Sequence, residues 1–316
     1  MRVKNISYFF LTACLLLCIH KSSNAQVAKK DKKLQSKLEQ LCEGYEGTVG
    51  IYVYNLKTGK EAAINADTIF PTASIVKVPI LVGLFDKIAK GDLSYHQPLL
   101  YRDSIKYGGS GLMQFFQDSV KTDLSTLAAL MISYSDNTTS LWCQALAGGG
   151  ATINALMESY GLQATRVNSR TSGREDIWKI YGWGQTSPRE MAQLLVKIRK
   201  GEIIDQAACE RMYRLMSHIY YDDYALSQIP PYIQTASKQG MVNDSRSELV
   251  MVNAPHGDYV FYIATKDNKD KSWKYDNAAW QLTRNLSALL WQYFEPSSRW
   301  RAPDDYSKKY IEGLAY

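Results

Sequence analysis

The sequence is poor in the residues that build metal centres. Its 316 residues include 4 histidines and 5 cysteines; His20, His96, His218 and His256 stand apart from one another and from Cys42, Cys143 and Cys209. Past the first 25 residues, no pair among Cys42, Cys143 and Cys209 has the short spacing that zinc ligands need. No metal or other cofactor is therefore expected. Past the N-terminus no apolar run is long enough to span a bilayer, so no stable membrane span is expected. A concentration of charge of one sign is missing too. The net charge is +6, but Arg2, Lys4 and Lys21 fall in the first 25 residues, which carry no acid, and without them it is +3. The other basic residues are scattered, which leaves a nucleic-acid partner no electrostatic footprint. Internal repeats and low-complexity stretches are also lacking.

What the chain does contain is ordinary for a globular protein: 46% hydrophobic and 22% charged residues, with length enough for a substantial core. Tyrosine (22) and tryptophan (7) are frequent, which suits polar pockets with aromatic walls. Arg2 and Lys4 precede an apolar stretch over residues 6–19, and Ser23-Asn24-Ala25 supplies small residues. This pattern predicts a secretory signal peptide over residues 1–25, cleaved after Ala25, and a secreted or periplasmic protein of a bacterial cell. Leu15-Leu16-Leu17-Cys18 vaguely resembles a lipidation box, but the bulky Leu17 before the cysteine argues against it. Cys42, Cys143 and Cys209 then remain, as one disulfide with one free thiol or as three buried thiols.

In chain order, lysine-rich residues 26–41 read as a helix. Residues 48–56 alternate β-branched and aromatic side chains, as a strand does, and a turn at 57–60 leads into a returning strand. Residues 78–88 are an apolar run that predicts a buried helix. Helical patterns follow at 124–131, 139–146 and 152–160, with Gly148-Gly149-Gly150 closing the second and Gly161 capping the third. Residues 166–185 lack periodicity and read as a long ordered loop, a setting that is often functional. Ser187-Pro188 opens another helix. Three strands are expected at 233–238, 247–253 and 259–265, then an amphipathic helix at 277–294; residues 295–316 are not placed. Strands, then helices, then strands make an α/β (α+β) fold. It is an antiparallel sheet built from both chain ends (about 40–70 and 231–295) with an inserted all-helical lobe (about 71–230), in a single domain over 26–316.

Three short motifs carry chemistry. Ser74-Ile75-Val76-Lys77 opens the buried helix, and an offset of three puts the Lys77 amine beside the Ser74 hydroxyl. A neutral amine so placed can take the hydroxyl proton, and a helix start offers N–H groups to a developing oxyanion. Ser135-Asp136-Asn137 falls just past the 124–131 helix. Lys238-Gln239-Gly240 falls at the end of a predicted strand. Each alone is a commonplace: a capping serine, an Asx-type turn with Asp136 as the cap, a strand end with a turn glycine.

Together, in this order and setting, they resemble the motif set of the class A β-lactamases within the penicillin-recognising serine enzymes, over about residues 40–294. The resemblance implies a serine β-lactamase-like fold and an exported serine hydrolase that opens β-lactams through an acyl-enzyme on Ser74. It gives Lys77 and Ser135 proton-transfer roles and makes Asn137 a ligand of the substrate's acylamino group. Lys238 becomes the cation near the substrate carboxylate, Gly240 the position of close approach, and Met241 with Ser74 the pair of oxyanion N–H donors. It also implies that Arg246 binds the carboxylate. The partner is a small-molecule substrate and the protein a monomer. The chain departs from the family pattern at Gln239, where threonine or serine is usual, and in the 166–185 loop. There the family's E-x-x-L-N glutamate, which activates the deacylating water, is missing and Glu175 is the nearest carboxylate; alternatively Glu175 pairs with Arg174 at the surface. A same-fold peptidase or esterase acting on cell-wall or other amides and esters, and a ligand-binding module with little turnover, are the competing readings.

Overall fold

The computed structural model describes residues 29–303. The expected leader with its cleavage after Ala25, the alternative at Cys18 and the last part of the C-terminal tail lie outside the described residues. The chain begins with β1 (Lys29–Lys30) and α1 (Lys32–Cys42), then β2 (Thr48–Asn55), β3 (Lys60–Ile64) and β4 (Phe70–Pro71). Asp31 caps α1 by accepting the Leu34 N–H, so the helix starts at Lys32 and the two lysines before it pair with β3 instead.

The middle of the chain is helical. A 3₁₀ turn over Ala73–Val76 runs straight into α2 (Lys77–Ala89). Next come β5 (Pro98–Leu100), β6 (Lys121–Asp123), α3 (Leu124–Ser133), α4 (Asn137–Leu146) and α5 (Gly149–Ser159). After them follow β7 (Arg166–Val167), α6 (Glu175–Tyr181), β8 (Gly184–Thr186), α7 (Pro188–Lys200) and α8 (Gln206–Met216). Two expectations are corrected here. Gly149 and Gly150 open α5 and do not close α4; a side chain at Gly150 would come within 1.8 Å of Thr171 Oγ1, so close approach is what requires glycine there. The segment read as a continuous loop contains α6 between two short strands that pair with each other, and β8 also pairs with β4.

The chain closes with β9 (Thr235–Val242), β10 (Ser245–Val252), β11 (Tyr259–Lys266) and α9 (Ala278–Phe294). Among the described residues a six-stranded sheet forms in the order β1-β3-β2-β11-β10-β9. Only β1 and β3 run parallel. The sheet thus unites the two ends of the chain, as the segregation of strands and helices predicts.

Both faces of the sheet are covered. Tyr52, Val260, Tyr262, Leu249 and Met251 pack toward the helical lobe, while Ile51, Val53, Phe261, Val250 and Val252 pack against α1 and α9. All eight positions of β10 are buried as a result. Helix α2 lies at the centre of the helical lobe, with Lys77 through Phe85 buried without interruption. Cys42, Cys143 and Cys209 are free thiols. Among the described residues no helix is long and apolar enough to cross a membrane.

One carboxylate ties the turn before β7 to α7. Glu190 accepts hydrogen bonds from the Gln163, Ala164 and Thr165 N–H groups at 2.7–2.9 Å, and from Thr165 Oγ1 at 2.9 Å. Glu190→Ala leaves these donors without their acceptor, and we expect it to cost about 2–3 kcal/mol in denaturant unfolding.

Candidate active site

The Ser74 hydroxyl is presented by a tight, strained turn. Thr72 N–H donates to the Gly184 carbonyl at 2.9 Å, Ala73 takes a positive φ of 43°, and Ile75 N–H returns to the Thr72 carbonyl at 2.9 Å. A non-glycine residue in the left-handed region is costly and persists only where surrounding contacts hold it. Ser74 therefore sits one turn before α2 proper, on 3₁₀ backbone and not at the start of the α-helix. With three residues per turn, positions i and i+3 eclipse, and Lys77 stacks directly on Ser74. Lys77 Nζ is 2.8 Å from Ser74 Oγ.

The second motif converges on the same amine. Ser135 also has positive φ (53°), which turns its carbonyl to within 2.8 Å of Lys77 Nζ with its Oγ at 3.1 Å. Asp136 is buried and caps α4, accepting Thr139 N–H at 2.8 Å and Met113 N–H at 2.7 Å. Asn137 Oδ1 lies 3.0 Å from Lys77 Nζ, and its Nδ2 donates to the Gly108 carbonyl at 3.2 Å. From the sheet side, Lys238 Nζ donates to Ser135 Oγ at 3.1 Å and to the Gln239 carbonyl at 3.0 Å. Ser135 Oγ thus bridges two buried amines.

Gly240 is what lets the sheet reach the turn. A Cβ there would lie 2.3 Å from the Thr72 carbonyl oxygen and 2.8 Å from Ser247 Oγ. Alanine would push back the backbone that carries Ser74, and displacements of this size cost reaction rate more than stability. Gly240→Ala is expected to slow acylation by about 10²-fold, read against its unfolding midpoint. Ser74, Asn137 and Met241 line a cleft of about 460 Å³ whose other walls include Tyr107, Lys179 and Trp183.

Burial sets the charge state of the two amines. Lys77 is fully enclosed, and burial followed by the neighbouring Lys238 charge drives its amine well below the usual lysine range. Lys238 is lowered to about 7 by burial, with Glu248 opposing the fall. Burial thus weakens the hold of both amines on their protons, and the Lys238 charge adds to the effect at Lys77. A neutral amine against a serine hydroxyl, beside a second hydroxyl and a cation, can take a proton and pass one on.

Three expected site residues are placed elsewhere. Arg246 pairs in register with Met241 but lies on the face packed against α9, over the rings of Trp273 and Trp280, donating to the Ser245 and Ser272 carbonyls. It does not reach the cleft. Gln239 also turns to that face, its Nε2 donating to the Tyr221 carbonyl at 2.6 Å. Glu175 is the exposed first residue of α6 and accepts the Gly173 N–H, while Arg174 binds Asn168 and Gln185. The surface ion pair of Glu175 with Arg174 does not form among the described residues.

Sequence reading missed Trp183. Its ring centroid is 5.9 Å from Lys77 Nζ and 5.2 Å from the Tyr107 ring, edge to face. The flanking glycines were the available signal: a Cβ at Gly184 would meet Thr72 Oγ1 and Val76 Cγ2, each at 2.7 Å.

Comparison with known proteins agrees with this constellation. The profile of the "Beta-lactamase enzyme family" matches residues 33–294. Beta-lactamase VEB-1 of Pseudomonas aeruginosa is 19% identical, over 86% of this chain and 92% of its own. Among solved structures, PBP-A superposes with a TM-score of 0.76 at 27% identity, covering 85% of this chain and 98% of that one. The L158E mutant of PBP-A, described as an acyl-enzyme complex with penicillin-G, superposes equally well at 26% identity. With the fold, the juxtaposed Ser74, Lys77, Ser135 and Lys238 and a match over most of its length, the chain belongs to the beta-lactamase enzyme family.

Proposed function

We propose that this chain is an exported, monomeric serine hydrolase that opens β-lactams by forming an acyl-enzyme on Ser74. The observation that carries the reading is the 2.8 Å approach of the enclosed Lys77 amine to Ser74 Oγ. Lys77 takes the hydroxyl proton as Oγ attacks the lactam carbonyl carbon. The N–H groups of Ser74 and Met241 receive the oxyanion, each donor contributing about 3 kcal/mol to the transition state. The C–N bond then breaks, and Ser135 gives its proton to the leaving nitrogen while recovering one from the amines around it. Lys238 supplies positive charge at Ser135 and toward the substrate carboxylate, and Asn137 faces the acyl side of the cleft. The acyl-enzyme described for the PBP-A mutant supports the same chemistry here. Intact mass after incubation with a penicillin tests it: one adduct on the wild type and none on Ser74→Ala is expected, and no wild-type adduct would sink it.

A second reading concerns the substrate and the fate of the ester. Among the described residues Lys77 Nζ hydrogen-bonds to hydroxyl, carbonyl and amide oxygens and to no carboxylate, and Trp183 lies beside it. This environment favours acylation over hydrolysis, which suits a peptidase or esterase of the same fold acting on cell-wall or other amides and esters, or a module that holds its ligand. Turnover of a peptide or ester substrate without lactam turnover would select the peptidase or esterase, and a lasting adduct the binding module.

A further inference from the structure

Behind the cleft, on the sheet face away from Lys238, one carboxylate is completely enclosed. Glu248 pairs in register with Gln239 and has no exposed surface. Its Oε2 accepts the Ala225 N–H at 2.9 Å and its Oε1 accepts Ser237 Oγ at 3.0 Å. Gln239 Nε2, while donating to the Tyr221 carbonyl, sits 3.5 Å from the same Oε1. Burying an ionisable carboxyl is costly, and strand pairing has no need of one at this position. Glu248 forms no salt bridge among the described residues.

What it does hold is the irregular segment from Tyr221 to Ala225. The far end of that segment reaches the residue that holds Asn137 in place: Tyr221 Oη is 3.3 Å from Ser110 Oγ. The Ser110 carbonyl accepts the Asn137 N–H at 3.0 Å, and Asn137 Oδ1 meets Lys77. Contacts thus run without a break from Glu248 through Gln239, Tyr221, Ser110 and Asn137 to the Lys77 amine. Glu248 is also the counter-charge felt by Lys238, whose own hydrogen bonds go to a hydroxyl and a carbonyl.

We infer that Glu248 is a positioning residue for the Ser74 reaction: from behind the sheet it supplies the counter-charge to Lys238 and, through the Tyr221–Ser110 contact, fixes the backbone that carries Asn137. The inference rests on the acyl-enzyme reading. Burial drives the Glu248 carboxyl up and the Lys238 amine down, both to about 7, and each charge opposes the other's shift. An ionised Glu248 raises the pH at which Lys238 loses its proton, so neutralising it lowers that pH. The other ionisable groups around it include Tyr221, Asp223 and Tyr224 on the held segment, Arg246 on the same strand face, and Arg284 on α9, which bears on Tyr224. Lys77 faces Lys238 from the helical side.

The test is the pH profile of acylation of the full chain by a fluorescent penicillin. Glu248→Gln keeps the volume and an acceptor for Ala225 but removes the charge. It is expected to move the alkaline limb down by about one pH unit. Tyr221→Phe keeps the charge and cuts the contact to Ser110; it should raise the half-saturating penicillin concentration about fivefold with the limb unmoved. A folded Glu248→Gln protein with a wild-type profile overturns the proposal. Side-chain NMR of isotope-labelled wild type needs no substrate and no variant. Lys238 and Glu248 are expected to titrate over one shared pH range, and independent titrations overturn the proposal even if Glu248→Gln does not fold. Absence of any penicillin adduct would instead fail the acyl-enzyme reading, leaving the NMR result to judge Glu248.

Discussion

Ser74→Ala is expected to abolish covalent adduct formation, while Lys77→Met leaves the hydroxyl in place and slows acylation by about 10³-fold. The two variants separate nucleophile from base. Without Oγ no ester can form at this position, so residual labelling of Ser74→Ala equal to the wild type would assign the chemistry elsewhere. Lys77→Met keeps the length and apolar stem of the buried side chain, so α2 retains its packing. What it removes is the nitrogen 2.8 Å from Ser74 Oγ and 3.1 Å from Ser135 Oγ. Stopped-flow acylation with a chromogenic cephalosporin, followed by intact mass, measures both. A Lys77→Met rate within a factor of a few of the wild type would exclude the amine as the base.

Once formed, the ester is expected to be hydrolysed about 10²–10⁴-fold more slowly than it forms, the range that one well-placed general base commands. Water needs such a base to attack an ester, and the carboxylate that sequence reading put forward, Glu175, is exposed on α6. The oxygens within reach of Lys77 belong to Ser74, Ser135 and Asn137, and the indole of Trp183 occupies the side facing the 166–185 segment. A burst of one equivalent of opened cephalosporin followed by a slow phase is the expected time course. Trp183→Ala opens that side to water and should speed loss of the adduct. Steady turnover with no burst would mean that another group activates water efficiently.

The sequence by itself determined the run of strands, then helices, then strands, the sheet drawn from both chain ends and the grouping of Ser74, Lys77, Ser135, Asn137 and Lys238. These are written in local patterns: alternation in β2, caps at Asp123, Asp136 and Ser187, and motifs whose members lie within a few residues of one another. Only the tertiary structure decided the rest. Helix α6 gave no periodic signal because it buries no residue, leaving Trp178 and Ile180 exposed. The direction of Arg246 and Gln239 was closed to sequence reading for the opposite reason. Where a sheet is covered on both faces, every position of a strand such as β10 is buried, and alternation loses the phase that tells one face from the other. Glu248 was invisible for the same cause, and Trp183 needed the folded 166–185 segment to bring it beside Lys77. The motif at Ser74 names the reacting atoms, but which buried charges face them is fixed by packing across the sheet, a property no short stretch of sequence contains.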